Sequence, residues 1–238
     1  MKTLRRLAVA ATAAALLGTT ACSATGGAAG TPEGAGAPSP TVAFKKYDDA
    51  ELATLLSGLN DSQGKPLKVL PATDLKKATE LAKTMAEKIK VTPAECSAQG
   101  AGSQLQLLDN ATLATALSDP SQGTSEAVNV ISGLDQTDLA ANFAKSKDQI
   151  DKCKKVTLDM GGLNVESNSE LLDTPAKTPG TFVVATTATV AGKPGRTVVA
   201  MAAKGGVVVT ATSKGGADAA ADGANAVALL DSVAARVK

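Results

Sequence analysis

The 238-residue chain has no histidine and no tryptophan, and its aromatic side chains are Phe44, Tyr47, Phe143 and Phe182. Without histidine, Ser-His-Asp and Cys-His catalysis are excluded, along with the commonest metal sites. With so few aromatics there is no platform for stacking nucleobases and little to face a sugar ring. An excess of one charge is missing too. Lys and Arg number 24 against 23 Asp and Glu, and a leader holding Lys2, Arg5 and Arg6 takes the balance to 21 against 23, a net of −2. A near-neutral, slightly acidic chain argues against nucleic acid as partner. It also supplies no whole-molecule attraction to anionic lipid.

Nor is there a long hydrophobic run. The apolar stretch Leu7 to Gly18 is shorter than the roughly 20 residues that span a bilayer. Behind the positive residues it reads as the core of a targeting segment, residues 1–21. It ends Leu16-Leu17-Gly18-Thr19-Thr20-Ala21-Cys22, which resembles the signal of a bacterial lipoprotein. That resemblance implies cleavage after Ala21 and a diacylglycerol on Cys22, with Thr19 standing where Leu is usual. Two acyl chains are what stable anchoring takes. The expected place is the outer face of the bacterial cytoplasmic membrane. Residues 22–42 then form a Gly-, Ala-, Ser-, Thr- and Pro-rich linker with Glu33 as its one charge. Such a stretch buries too little apolar surface to offset its ordering entropy. Twenty residues of it reach about 25 Å r.m.s. and about 65 Å at full extension.

Residues 43–238 are long enough for one core and are expected to form a single domain. With Cys22 lipidated, Cys96 and Cys153 remain, and outside the cytoplasm such a pair is expected as a disulfide. It would close a loop of 153 − 96 + 1 = 58 residues, for which chain entropy gives up to about 4 kcal/mol.

Helices come first. Leu52, Leu55, Leu56 and Leu59 share a face over Tyr47–Leu59, with Asp48 or Asp49 at the start. Leu75, Ala78, Leu81, Ala82, Met85 and Ile89 form a stripe over Thr73–Lys90, with Thr73 or Asp74 as cap. Leu67–Leu70 reads as a short strand, Gln104–Leu108 as a strand, Asn110–Leu117 as a short helix or loop, and Ala127–Ile131 as a strand. Leu139, Phe143, Ile150 and Cys153 align over Thr137–Cys153, where Asp135 or Thr137 is placed to cap a helix.

After Cys153 the period shifts toward 2. Strands are expected at Val156–Met160, Leu163–Glu166, Phe182–Val190, Arg196–Ala203 and Val207–Thr212. Gly192-Lys193-Pro194-Gly195 and Lys204-Gly205-Gly206 read as hairpin turns. Ala217–Val237 is a closing helix. The order predicts an α+β fold, an antiparallel sheet with helices packed mainly on one face and one disulfide.

The string Asp138-Leu139-Ala140-Ala141-Asn142-Phe143 through Ile150-Asp151-Lys152-Cys153, then Lys155-Val156-Thr157-Leu158 and a closing meander and helix, resembles the extracellular sensor domain of PknH-type bacterial serine/threonine kinases and related actinobacterial lipoproteins. The likeness is strongest over Ser132–Lys238. Ile150 stands where that family has Trp, and two mature cysteines stand where it commonly has four. The resemblance implies an extracellular sensor-like binding module and transfers no catalytic residue.

An enzyme is not expected, nor a cofactor or metal. Ser62-Gln63-Gly64-Lys65 matches the S-x-x-K of penicillin-recognising enzymes, but Gly64 and Pro66 put it in a turn where that motif needs a helix start. The expected partners are the membrane through the lipid anchor, and an envelope protein, a wall component or a hydrophobic small molecule. The rival reading is a carrier of lipid or another hydrophobic ligand, with Val184, Val199 and Val209 lining a cavity instead of a filled core.

Overall fold

The computed structural model describes residues 44–99, 111–119, 125–134 and 139–238. Cys22, the leader, the linker, the expected strand Gln104–Leu108 and the capping residues Asp135 and Thr137 lie outside them.

The elements run α1 (Asp49–Leu56), β1 (Lys68–Val69), α2 (Ala72–Ala86), β2 (Lys90–Thr92), a 3-10 turn (Ala94–Gln99), β3 (Thr112–Leu117), β4 (Ser125–Ser132), α3 (Leu139–Lys152), β5 (Lys155–Asp159), β6 (Asn164–Leu172), β7 (Phe182–Val190), β8 (Lys193–Lys204), β9 (Val207–Lys214) and α4 (Ala219–Ala234). The strands form one nine-stranded sheet in the order β1-β3-β4-β9-β8-β7-β6-β5-β2. Every pairing in it is antiparallel. This is the α+β architecture that the period change implies.

The two faces are unequal. On the first, Val183, Ala185, Val198, Ala200, Ala202, Val207, Val209 and Ala211 meet Leu52, Leu55 and Leu56 of α1 and Ala226, Leu229, Leu230 and Val233 of α4 in the larger core. On the second, Ile131, Phe182, Val184, Val199, Met201 and Val208 meet Ile150 of α3. Small residues let α4 lie close on the sheet, and α3 makes the second face apolar where it crosses. That is why alternation is blurred in β7, β8 and β9. Beyond α3 the second face turns mildly polar, with Thr115 bonded to Asn129 and Ser169 to Thr186.

Local chemistry sets the ends. A reciprocal capping box starts α1. Glu51 N donates to Asp48 Oδ1 at 2.8 Å and Asp48 N to Glu51 Oε2 at 3.1 Å, satisfying two free helix-end donors. Arg236 closes its far end, donating to the carbonyls of Leu55 and Ser57, where a cation suits the dipole.

Four expectations are corrected. Helix α2 starts at Ala72 behind Pro71, without a side-chain cap, and not at Thr73 or Asp74; proline is pre-set for a helix entrance. It stops at Ala86, and Lys90–Thr92 form an edge strand on β5. Thr112–Leu117, expected as helix or loop, is strand β3, since pairing with both β1 and β4 overrides local preference. The β7–β8 turn is only Ala191-Gly192, both at positive φ. Lys193, Pro194 and Gly195 belong to β8, and Pro194 is tolerated because β9 pairs with β8 only from Val198 onward.

Candidate binding groove and the buried polar network

The expected disulfide is present. Cys96, in the 3-10 turn after β2, joins Cys153 at the end of α3, with Cα atoms 5.8 Å apart. Both cysteines are buried. The joint ties edge strand β2 to the helix that feeds β5. Phe143 packs edge-on against Phe182, with centroids 5.5 Å apart, and Lys147 lies over the Phe182 ring at 5.6 Å. Ile150 is buried beside them.

A groove of about 520 Å³ lies between α2, the start of α1 and β3. Its apolar part comes from Leu75, Ala111 and Leu113, and its polar part from Asp49, Lys76, Thr79, Glu80 and Lys83. Two acids and two lysines leave it without charge preference. Such a lining suits a polar or zwitterionic ligand, or a peptide, better than an alkyl chain. Val184, Val199 and Val209 are buried inside the two packed clusters, away from this groove.

The buried carboxylates have structural partners. Asp222 is fully buried in α4. Arg196 Nε and Nη2 donate to its Oδ2 at 3.1 and 3.0 Å, while Ser213 Oγ and Gly216 N donate to its Oδ1 at 3.2 and 2.8 Å. The cluster joins β8, β9 and α4. Sequence reasoning gave neither Arg196 nor Asp222 a role in a polar cluster. The available signal was a lone acid on the inner stripe Asp222-Ala226-Leu229-Val233 of a helix.

Asp231, also in α4, accepts from Lys177 N, Thr178 N and Thr178 Oγ1 at 2.9, 2.9 and 2.6 Å, pinning the β6–β7 loop. Burial pushes this carboxyl up, but the Thr178 hydroxyl and the two backbone donors outweigh it and hold it below the usual aspartate value.

Glu126 on β4 is 1% exposed. Its Oε2 accepts from Ser62 N at 2.9 Å, and its Oε1 has no partner among the described residues. Ser62 therefore turns its backbone toward Glu126, and Ser62-Gln63-Gly64-Lys65 occupies a turn and not a helix start. Among the described residues no cluster of three or more His, Cys, Asp or Glu has metal-site geometry. Among them, too, no helix is long and apolar enough to cross a membrane.

No protein-family model and no curated protein matches the chain. Its fold does match solved structures, and it defines the chain as an α+β domain. The extracellular domain of PknH from Mycobacterium tuberculosis superposes with a TM-score of 0.52 at 16% identity, covering 82% of this chain and 98% of that one. An uncharacterised Mycobacterium smegmatis protein, the Rv0999 ortholog, aligns at a TM-score of 0.38 and 15% identity over 72% of this chain and 85% of its own. The PknH likeness is the fold that the Leu139–Cys153 string and the closing meander implied.

Proposed function

We propose that this protein is a cell-envelope lipoprotein, anchored through Cys22, whose folded domain acts as a sensor-like binding module outside the cytoplasmic membrane. The observation that carries this is the fold shared with the PknH extracellular domain over nearly that domain's whole length. The Leu16–Cys22 string supports the anchor, because a small residue followed by cysteine at the end of an apolar core is otherwise unexpected. The groove between α2 and β3 is the candidate site, and its mixed polar lining favours a wall fragment or peptide. In this reading the domain recognises and does not catalyse.

Two measurements test it. Cys22→Ala should release the protein from the membrane fraction; retention in that fraction would overturn the anchor. Native mass spectrometry of the non-reduced Cys22→Ala protein, which has no acceptor for the anchor, from a host with envelope lipids should show no bound lipid. A lipid-sized adduct would instead establish the carrier, against which the filling of both sheet faces around Val184, Val199 and Val209 weighs.

A further inference from the structure

Strand β3 is paired along its whole length on one edge, by β4, and only in part on the other. There β1 pairs with Leu117 and Ala116, and Leu70 N donates to Thr115 O at 2.9 Å. Pro71 then leads the chain away into α2. Along a strand the N–H and C=O of alternate residues point to the same edge. Thr115 turns its carbonyl to Leu70, while Ser118 N donates to Glu126 O of β4 at 2.8 Å. Even-numbered residues therefore bond to β4, and Leu113 points its N–H and C=O outward, past the end of β1. Neither group has a partner among the described residues.

These groups open into the groove, which Ala111, Thr112 and Leu113 line from the strand. Ala111 and Leu113 pack with the second-face cluster, whereas Ala114 and Ala116 belong with α1 to the first-face core. Asp49 of α1 lines the groove as well, and Leu75, Lys76 and Thr79 of α2 line it from the far wall. The lining thus reaches both sides of the sheet at the bare stretch of β3. An open strand edge facing a helix across a groove takes an extended peptide, because the peptide's main chain completes the ladder. A helix or a sugar ring presents no row of N–H and C=O groups at the strand spacing.

We infer that the groove binds an extended peptide of another molecule as an added strand on β3, bonded to Leu113 N–H and C=O in line with β1. The inference rests on the groove being the binding site. Side-chain preference follows from register, since directly opposed residues share a face. The peptide residue opposite Leu113 lies by Leu113 and Leu75 and is apolar. Its neighbour opposite Thr112 falls on the first face, on the side of Asp49. The other charged residues of the described lining, Lys76, Glu80 and Lys83, all belong to α2. The residue opposite Thr112 is therefore basic.

Amide exchange of the free Cys22→Ala protein is the first test. The Leu113 amide should exchange more than about tenfold faster than those of Thr112 and Ala114, which β4 holds. Linear seven-residue peptides selected by phage display on the same protein are the probe. They should carry a basic residue next to an apolar one, and their binding should protect the Leu113 amide. Leu113→Pro removes the outward N–H and leaves the β4 bonds in place, as a proline on an edge can. It should weaken the peptides about tenfold, the size of one hydrogen bond left unmade. Thr79→Trp, which fills the groove, should abolish binding. Methylating the peptide amides one at a time should weaken binding at alternate residues only, a readout that needs no variant of the protein.

A Leu113 amide already protected in the free protein means that the edge is occupied by the chain itself or, where protection grows with concentration, by a second copy; either overturns the inference. Selection that yields no peptide overturns it too. Peptides lost with Thr79→Trp but indifferent to Leu113→Pro and to amide methylation overturn strand addition and leave the groove as the site. Peptides that neither variant weakens overturn both.

Discussion

At the scale of single residues, the molecule is held by carboxylates that the sequence does not advertise. Asp222 has two cationic and two neutral donors in a fully buried site. Removing one partner of such a pair leaves an uncompensated charge. Asp222→Ala should therefore lower unfolding free energy by about 3–5 kcal/mol, and Arg196→Met combined with Asp222→Leu should lose less than that single change. Denaturant titration of the three proteins reads the difference. Asp231 carries a pH dependence. Its folded-state value lies below the ordinary 3.8, so the stability it contributes is complete above that value and is lost as pH falls through the folded value. Asp231→Asn should cost about 1 kcal/mol at neutral pH. The gap between variant and parent should close below about pH 4.

At the scale of elements, what was legible depended on whether a segment's partners were close in the chain. The meander Phe182–Lys214 could be read from its turns, and α1 and α4 from their stripes, because each signal is local. Strand β2 is not legible because its partner β5 lies far off in sequence, and β3 because one of its two partners, β1, does as well. For α2 the stripe was real but its burial was not. Leu75 is covered, while Leu81 and Met85 face outward, and periodicity cannot tell a core from an open face. The groove was not legible at all, since it is assembled from α1, α2 and β3.

The disulfide makes a prediction at this scale. Replacing Cys96 and Cys153 by Ala removes the constraint on a 58-residue loop, a separation of 57 plus one, and should cost up to about 4 kcal/mol. Hydrogen exchange should quicken first in β2, β5 and α3. The amides of β8, β9 and α4, held by the larger core, should keep their protection.

At the scale of the whole molecule, the segment Phe44–Tyr47 is sewn into one end of the sheet. Tyr47 is buried, its N–H donates to Ser132 Oγ at 3.0 Å, and its hydroxyl lies 3.2 Å from both the N and the O of Lys238. Gly205 and Gly206 turn β8 into β9 beneath it, and Cβ atoms there would lie 2.9 Å from Val237 Cγ1 and 2.7 Å from Phe44 Cβ. Gly206 also has φ +80, so Gly206→Val should displace Phe44 and strain the turn together. The expected loss is about 2–4 kcal/mol, from overpacking plus left-handed backbone. Measured as a lowered melting temperature, it should be much larger than that of Gly161→Val, whose added Cβ meets nothing and carries only the backbone cost.

That stitching also decides how the molecule would bear a load. If a ligand fixed in the wall holds the groove while the lipid holds Cys22, tension enters at Phe44 and reaches Tyr47 and Ser132 first. The hydrogen bonds of Tyr47 come under strain singly, as the teeth of a zipper do, and not together, as parallel threads would. The segment before α1 would therefore yield at low force while the nine strands stay paired, a mechanical fuse between the envelope and the fold.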